Sequence, residues 1–205
     1  MINKEKRITK RDILAQQTRE KLYAASIELV AKYGYDTVTI DDIAQYVGCS
    51  KGAFYTHFQS KDAVFVEMFQ HIDKKYFEAF QNASEHMTAS DRLSLLMDTM
   101  VNYCENTCGL DVMRIVYINQ ISKTPHINHL TENTRLFYKI IRDTVEIGIQ
   151  RKEFNSNLDT EEMVEYIASF ARSAIFDWCL YGGSISLADL SKKRLHFLLR
   201  ALSMN

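Results

Sequence analysis

The sequence has little that would interrupt a helix or cross a membrane. It contains one proline and seven glycines among 205 residues, so few positions force the backbone out of a regular helix. Its longest apolar run falls far short of the roughly 20 residues that a membrane span needs. No apolar signal segment follows the start. We therefore expect a helical protein of the cytoplasm with no membrane partner.

Cysteine is also scarce, and its pattern argues against a bound metal. Cys104 and Cys108 are four residues apart and could hold a metal or form a redox switch, but neither a histidine nor a third cysteine stands at a recognised ligand spacing. His126 and His129 fit a loop and a helix start better than a ligand set. We predict no metal, no cofactor and reduced thiols. The four cysteines are Cys49, Cys104, Cys108 and Cys179.

Helical periodicity fills most of the chain. Apolar residues recur at helical spacing, 46% of the residues are hydrophobic, and no alternating strand pattern is present. Capping pairs occur at Thr88 with Asp91, Asp159 with Glu162 and Ser186 with Asp189, whereas Pro125 and the Gly182-Gly183 pair supply breaks. We expect an all-α fold of about nine helices. Outside the motif described next, the predicted helices are 16–33, 61–82, 89–107, 110–123, 126 or 127 to 152, 160–181 and 187–203.

The segment 39–65, TIDDIAQYVGCSKGAFYTHFQSKDAVF, has the layout of a helix-turn-helix. Thr39 can cap a first helix, with Asp42 three positions on to complete a capping box. Gly48 suits the left-handed C′ position, and Ser50 can cap a second helix. The turn is therefore about three residues long, which is the length found in DNA-reading motifs of this kind.

The second helix of this motif carries unusually small residues on its predicted outer face. Phe54 and Phe58 are four residues apart and should point inward. A glycine near a helix start costs roughly 1 kcal/mol relative to alanine, so Gly52 makes sense where a DNA backbone must approach closely. The residues predicted to face outward are Lys51, Gly52, Ala53, Tyr55 and His57.

These residues resemble the amino-terminal signature of the tetracycline-repressor (TetR) family of bacterial one-component transcription regulators, T-x-x-x-I-A-x-x-x-G-V-S-K-G-x-x-Y-x-H-F-x-S-K-x-x-L. Cys49 replaces the usual valine, and Val64 or Phe65 replaces the final leucine, so both changes keep an apolar residue. The resemblance covers about fifty residues and implies only an all-helical ligand-binding and dimerisation domain after about residue 80. The matching residues are Thr39, Ile43, Ala44, Gly48, Ser50, Lys51, Gly52, Tyr55, His57, Phe58, Ser60 and Lys61.

From this motif we expect two kinds of DNA contact. Lys51, Gly52 and Ala53 should lie at the floor of the major groove, where a lysine can donate to guanine. The polar groups should bind phosphates, among them Lys61, a cation that the helix dipole would not favour in a first turn. The predicted DNA-binding residues are Thr39, Ser50, Lys51, Gly52, Ala53, Tyr55, His57 and Lys61.

Basic residues concentrate at the amino terminus although the net charge is only −1. A basic arm beside a helix-turn-helix can follow phosphates or enter the minor groove, and the alternative is a disordered solubilising tail. We expect a DNA-binding domain over 1–62 that includes this arm, and an effector-binding and dimerisation domain over 63–205. The basic residues of the arm are Lys4, Lys6, Arg7, Lys10 and Arg11, against Glu5.

The last two predicted helices are apolar over more than one stripe. One stripe can serve the core, and the surplus predicts a homodimer in which two helices from each chain form a four-helix interface. A dimer would also double the few base pairs that one reader helix can contact. Packing within a monomer is the alternative explanation. The apolar residues are Met163, Tyr166, Ile167, Phe170, Ala174, Trp178, Leu187, Leu190, Leu195, Leu198, Leu199 and Leu202.

The middle helices combine aromatic and polar residues that could line a pocket for a small apolar or aromatic effector. For any one of these residues, core packing is the alternative explanation. The candidate pocket residues are Tyr103, Cys104, Met113, Tyr117, Phe137, Phe176 and Trp178.

The sequence therefore predicts a regulator and no enzyme. It contains no nucleophile elbow, phosphate loop, zinc-protease motif or dinucleotide fingerprint. We expect a homodimeric repressor that binds palindromic operator DNA and leaves it when an effector binds. The alternative is a helix-turn-helix scaffold that recruits a protein partner without ligand control.

Overall fold

The computed structural model describes residues 9–84, 86–122 and 129–203, and it divides the chain into two compact units, Met1–Glu67 and Met68–Asn205. Some residues discussed above lie outside the described ranges. They are Lys4, Glu5, Lys6, Arg7, Pro125 and His126.

From residue 9 onward, the first unit forms four helices: α1 (Lys10–Tyr33), α2 (Ile40–Val47), α3 (Lys51–His57) and α4 (Lys61–Val66). We had expected α1 to begin at residue 16. It begins earlier because Thr9 and Asp12 form a capping box, in which Thr9 Oγ1 accepts the Asp12 N–H. Lys10 and Arg11 of the basic arm therefore lie in its first turn.

The described residues of the second unit form six more helices and a π-helical turn. They are α5 (Met68–Gln81), α6 (Ala89–Tyr103), the π-helical turn (Cys104–Cys108), α7 (Gly109–Ser122), α8 (Leu136–Gln150), α9 (Thr160–Leu180) and α10 (Leu187–Leu202). Helix α6 packs against α5, α8 and α10, and α9 packs against α7, α8 and α10.

The predicted all-α class is confirmed. Within the described residues, the extended pairing consists of one isolated antiparallel bridge between Phe154 and Ser203. No helix in the described ranges is long and apolar enough to cross a membrane. The three predicted capping residues, Thr88, Asp159 and Ser186, cap α6, α9 and α10 by accepting the N–H three residues ahead.

The prediction of one continuous helix over 61–82 was wrong. The chain breaks at Glu67, whose N–H donates to Val64 O at 3.1 Å in a tightened last turn before α5 starts at Met68. The Glu67 side chain is only 5% exposed and is paired with Arg19 of α1. Helical periodicity cannot predict an ion pair between two residues that lie 48 positions apart in the sequence.

Two other predicted boundaries also need correction. Helix α8 begins at Leu136, since residues 129–135 form turns that are held by the Arg135 guanidinium through His129 O and Phe69 O. The predicted helix 89–107 changes to π-helical hydrogen bonding at Cys104, and the π-helical turn ends where α7 begins, at Gly109 (φ +77°).

Candidate nucleic-acid interface and ligand cavity

The turn between α2 and α3 has the geometry that its glycine predicts. Gly48 adopts φ +78° and ψ +32° at the end of α2. Its N–H donates to Gln45 O at 3.1 Å, and the Cys49 N–H donates to Ala44 O at 2.9 Å. This pair of bonds is a Schellman motif. Three residues, Gly48 to Ser50, separate the two helices, as predicted.

Local capping fixes the start of both helices. Thr39 Oγ1 donates to Asp42 Oδ2 at 2.6 Å and accepts the Asp42 N–H at 3.1 Å. This hydrogen bond from the Thr39 side chain lowers the pKa of Asp42. Ser50 Oγ accepts the Ala53 N–H at 3.1 Å and so caps α3. Both predicted capping roles are confirmed, and both hydroxyls lie at exposed helix starts.

Helix α3 presents the outer face that its sequence predicts. Phe54 and Phe58 are buried, whereas Lys51, Gly52 and Tyr55 are exposed. Ala53 and His57 are half-buried.

Gly52 has no packing reason to be a glycine. A Cβ placed there would meet one atom within 4 Å, Ser50 Oγ at 3.7 Å, which is an ordinary contact. Within the described chain, an alanine would therefore fit at this position. The surface beside Gly52 consequently offers room for another molecule to approach the helix backbone.

The ammonium of Lys51 already has an acidic partner. Lys51 Nζ donates to Asp41 Oδ2 at 2.6 Å, and this hydrogen bond raises the pKa of Lys51. Both side chains are more than half exposed, and exposed pairs of this kind contribute little stability. Lys51 can therefore exchange Asp41 for another acceptor at small cost.

Lys61 has internal partners that the motif did not predict. Its Nζ donates to Tyr35 O at 2.6 Å and to Val38 O at 2.7 Å, and it lies 3.8 Å from the centroid of the Tyr35 ring. The ammonium thus ties α4 to the loop after α1. An ammonium has three N–H donors, and two of those of Lys61 bind the carbonyls of Tyr35 and Val38. The phosphate contact expected of Lys61 would therefore use its third N–H.

An ion pair between Arg19 and the buried Glu67, which the sequence did not reveal, holds the end of α3. Arg19 donates from Nε to Glu67 Oε1 at 3.1 Å and pairs through Nη2 with Glu67 Oε2 at 2.9 Å. Arg19 Nη1 also donates to His57 O at 2.6 Å, and its guanidinium stacks 4.4 Å from the centroid of the Phe58 ring. A cation at the carboxyl end of a helix suits the helix dipole. Arg19 therefore fixes the end of α3 without being exposed on its outer face.

The second unit contains a mainly apolar cavity of about 50 Å³. Cys104, Met113, Tyr117 and Phe137 line it, so four of the seven predicted pocket residues come together. The other lining residues come from α5, α6 and α9 and from the turns before α8. They are Met68, Phe69, Ile72, Tyr76, Met100, Leu130, Arg135, Ala171, Arg172 and Ile175.

The other three predicted pocket residues do not line this cavity. Tyr103 is buried with its hydroxyl 3.5 Å from Met68 O. Phe176 is 38% exposed and contacts Tyr117 from outside the cavity lining, while Trp178 is buried beside Gly183. Helical spacing could not distinguish these three residues from the four that line the cavity, because both sets consist mainly of aromatic and apolar side chains.

Arg135 and Arg172 are lining residues that the sequence analysis missed. The available signal was a charged residue inside an otherwise apolar helical stretch, as at Arg172 between Ala171 and Ile175.

Comparison with known proteins agrees with the geometry of the first unit. Residues 22–68 match the family model described as bacterial regulatory proteins, tetR family. The chain belongs to the TetR family.

Relatives of this TetR-family chain extend over most of its length. It is 21% identical over 179 residues to the fatty acid metabolism regulator protein of Bacillus subtilis (strain 168), covering 87% of this chain and 92% of the relative. It is 22% identical over 186 residues to the HTH-type transcriptional repressor KstR2 of Rhodococcus jostii (strain RHA1), covering 90% and 91%.

A solved structure shares the fold of both units. It is the transcriptional regulator FadR from Bacillus subtilis in complex with stearoyl-CoA, with a TM-score of 0.69 and 18% identity over 89% of this chain and 98% of that one. The chain is thus a DNA-binding transcription regulator of the TetR type, with an amino-terminal helix-turn-helix unit and a larger helical unit.

Three of the four thiols of this TetR-family chain have the character of core residues, whereas Cys49 is half-buried. Cys104, Cys108 and Cys179 are buried and unpaired with one another. Burial raises the pKa of Cys108 to about 12 and that of Cys179 to about 11. Reactive or metal-binding cysteines need an accessible thiolate. Within the described residues, no three His, Cys, Asp or Glu side chains come together as a metal site.

The last two helices retain large exposed apolar side chains. Tyr166, Phe176 and Leu180 follow one face of α9, and Leu180 is 66% exposed. Phe197 of α10 is 71% exposed. Of the apolar residues that the sequence analysis named on these helices, Phe170, Leu190 and Leu199 are half-buried, Tyr166 is exposed and the others are buried in the core.

Proposed function

We propose that this protein is a homodimeric repressor that binds inverted-repeat operator DNA and releases it when a small apolar effector enters the larger unit. The observation that carries the DNA-binding part is Gly52, a glycine on an exposed helix face that no internal contact requires. A glycine at this position allows DNA to approach the helix backbone closely, which explains why no side chain is present there.

In the proposed complex, the outer face of α3 enters the major groove. Lys51 leaves Asp41 and donates to guanine, while Gly52 and Ala53 allow the helix backbone to approach the bases. Tyr55, His57 and the third N–H donor of Lys61 bind phosphates. Thr39 and Ser50 sit at helix starts, where backbone N–H groups also attract phosphate.

Selection of bound duplexes from a random library tests this proposal directly. A two-fold dimer requires two inverted half-sites whose centres lie about one helical turn, roughly 34–36 Å, or a multiple of it apart. We expect the selected duplexes to show that symmetry. Selected sites without inverted repeats would contradict a dimer that docks through two copies of α3.

For the dimer, we propose an interface made by α9 and α10 of each chain. Tyr166, Phe176, Leu180 and Phe197 are exposed on these helices, and burial of such side chains favours association. Replacing Leu180 and Phe197 together by lysine should shift the protein to a monomer in sedimentation velocity, with unchanged helix content. Replacing the exposed Phe77 of α5 by lysine is the matched control and should leave the dimer intact.

We propose that the effector enlarges the cavity when it binds and does not simply fill the volume that the cavity has without a ligand. A cavity of about 50 Å³ holds a few water molecules, whereas ligand pockets usually measure about 300–1,000 Å³. Three methionines in the lining, Met68, Met100 and Met113, have flexible side chains that can move aside. The solved relative in complex with stearoyl-CoA supports a ligand with a long apolar body.

Cavity expansion also suggests how the signal reaches the DNA. Met68, Phe69, Ile72 and Tyr76 line the cavity from α5, and α5 follows Glu67 directly in the chain. A ligand that displaces the start of α5 would thereby alter the spacing of the two reader helices. Reciprocity requires that operator DNA weaken effector binding by the same factor, typically about 5- to 150-fold. Equal effector affinities with and without operator would favour a scaffold without ligand control.

A further inference from the structure

Two arginines interrupt the apolar wall of the cavity, and one of them is already neutralised. Arg135 donates from Nη2 to Asp73 Oδ1 at 2.6 Å and from Nε to Asp73 Oδ2 at 3.3 Å. Its guanidinium also lies 4.6 Å from the centroid of the Phe69 ring. The Arg135–Asp73 pair therefore brings no net charge to the cavity.

Among the side chains that the structure describes, Arg172 of α9 has no comparable carboxylate partner. Its Nη1 donates to Leu130 O at 3.3 Å and to the Tyr138 hydroxyl. The acidic partner recorded among the described residues is Glu165, whose Oε2 is 3.8 Å from Arg172 Nη2 and whose side chain is 58% exposed. A solvated carboxylate at that distance screens the guanidinium weakly. The cavity wall thus retains one positive charge.

Arg172 also lines a second, open groove of about 530 Å³ on the surface of α9. The other charged residues of this groove are all acidic: Asp159, Glu161, Glu162 and Glu165. Arg142 pairs with Glu161, which leaves an excess of negative charge around the outer side of Arg172. The arginine therefore stands between an apolar cavity and an acidic surface.

We propose that the effector is an amphiphile with a single negative charge, whose apolar body occupies the cavity and whose anionic group, such as a carboxylate, binds Arg172. This proposal rests on the proposed effector function of the cavity and specifies its ligand class. Ligands with a polyanionic head group, such as acyl-CoA thioesters, should bind this site more weakly.

The charges of the two surfaces give the physical reason. A carboxylate can form a paired, charge-assisted hydrogen bond with a guanidinium, and the bond is strong where the surrounding wall excludes water. A neutral head group loses that bond, and a cationic one is repelled by Arg172. A head group with several negative charges would protrude into the acidic groove, and like charges repel one another within about one Debye length, roughly 8 Å at physiological salt.

A series of ligands with one tail and four head groups tests this assignment. Decanoate, decanol, decyltrimethylammonium and decanoyl-CoA share a ten-carbon chain and can be titrated below micelle-forming concentrations, with binding measured by calorimetry on the full-length protein. A charge-assisted hydrogen bond should make decanoate bind about tenfold or more tightly than decanol. Decyltrimethylammonium and decanoyl-CoA should bind more weakly than decanoate.

Two variants should move the selectivity in opposite directions. Arg172→Gln should bring decanoate down to the affinity of decanol, so that the ratio of the two affinities falls from about tenfold to about one. Glu165→Gln removes the competing carboxylate from an exposed position, so it should strengthen decanoate binding even if Arg172→Gln fails to fold. Arg142→Gln is the matched control. It also removes one positive charge, but at the rim of the groove and away from the cavity lining, so it should preserve the preference for decanoate over decanol.

Several results would overturn the assignment. Tightest binding of decanoyl-CoA or of decyltrimethylammonium would show that Arg172 does not select the head group. Equal binding of all four ligands would keep the cavity as an effector site and remove the anion preference. Binding of none of them would contradict the apolar effector site itself, which separates failure of this inference from failure of the proposed function.

Discussion

Replacing Gly52 by alanine should make the protein more stable and at the same time a poorer DNA binder. A glycine in a helix is destabilising by roughly 0.5–1 kcal/mol relative to alanine. The added Cβ would meet Ser50 Oγ at 3.7 Å and no other atom within 4 Å, so no steric cost cancels this gain. For a chain of this size, that corresponds to a melting temperature higher by about 1–4 °C.

The same methyl group should weaken DNA binding if Gly52 faces the major groove. Displacing the helix from the bases would cost at least one close contact, and we expect a loss of about tenfold in affinity, equivalent to about 1.4 kcal/mol. Thermal unfolding measures the first effect. Fluorescence anisotropy with a duplex selected from a random library measures the second.

Gly48→Ala is the matched control. Gly48 has φ +78°, where alanine is strained by about 1–2 kcal/mol, so this variant should lose stability. If Gly52→Ala bound the selected duplex as tightly as the wild type, the proposed docking of α3 would be wrong. A lower melting temperature for Gly52→Ala would instead show that the glycine serves the fold.

Four further outcomes follow from specific contacts. Tyr55→Phe should weaken binding of all duplexes alike and keep their order of preference in competition gel shifts, since a phosphate contact carries no sequence information; a changed order would refute that role. Glu67→Gln removes the charge of a buried carboxylate from its pair with Arg19, whose side chain is 34% exposed, and should lower the free energy of unfolding by about 1–3 kcal/mol in urea titrations, whereas an effect below about 0.5 kcal/mol would mean that the pair is dispensable. Gly148→Ala should cost about 1–3 kcal/mol in the same assay, because the new Cβ would lie 2.4 Å from Phe154 Cδ2 and 2.9 Å from Ala89 Cβ. Burial raises the pKa of the Cys108 thiol from 9.0 to about 12, so its stabilising effect is complete below pH 9.0 and is lost as the pH rises towards 12. Urea titrations should therefore show a steeper loss of stability above about pH 9 for the wild type than for Cys108→Ala. Parallel pH profiles of the two proteins would exclude this contribution.

Local chemistry explains why the helix-turn-helix could be predicted so fully. Each of its determinants acts within a few residues: Thr39 caps the helix that contains Asp42, Ser50 binds the N–H of Ala53, and Gly48 takes the left-handed conformation that ends α2. Capping pairs of the same kind predicted the starts of α6, α9 and α10. The Thr9–Asp12 box carries the same signal, and attention to it would have placed the start of α1 correctly.

Side chains whose partners lie far along the chain could not be assigned in this way. Lys61 binds a carbonyl 26 residues away, and Arg19 binds Glu67 across 48 residues. The break between α4 and α5 depends on the same buried glutamate, so a periodic apolar pattern predicted one continuous helix there.

The sequence by itself determined the helical class, the reader helix and its outward-facing residues, because those depend on caps, glycine conformation and the spacing of buried aromatics. Only the tertiary structure decided that Cys104, Met113, Tyr117 and Phe137 share a cavity that Tyr103, Phe176 and Trp178 do not line. It alone brought Arg172 to that cavity with one weakly neutralised charge. The physical reason is that spacing along a helix fixes which face a residue occupies, whereas cavities and ion pairs depend on which other helices pack against that face.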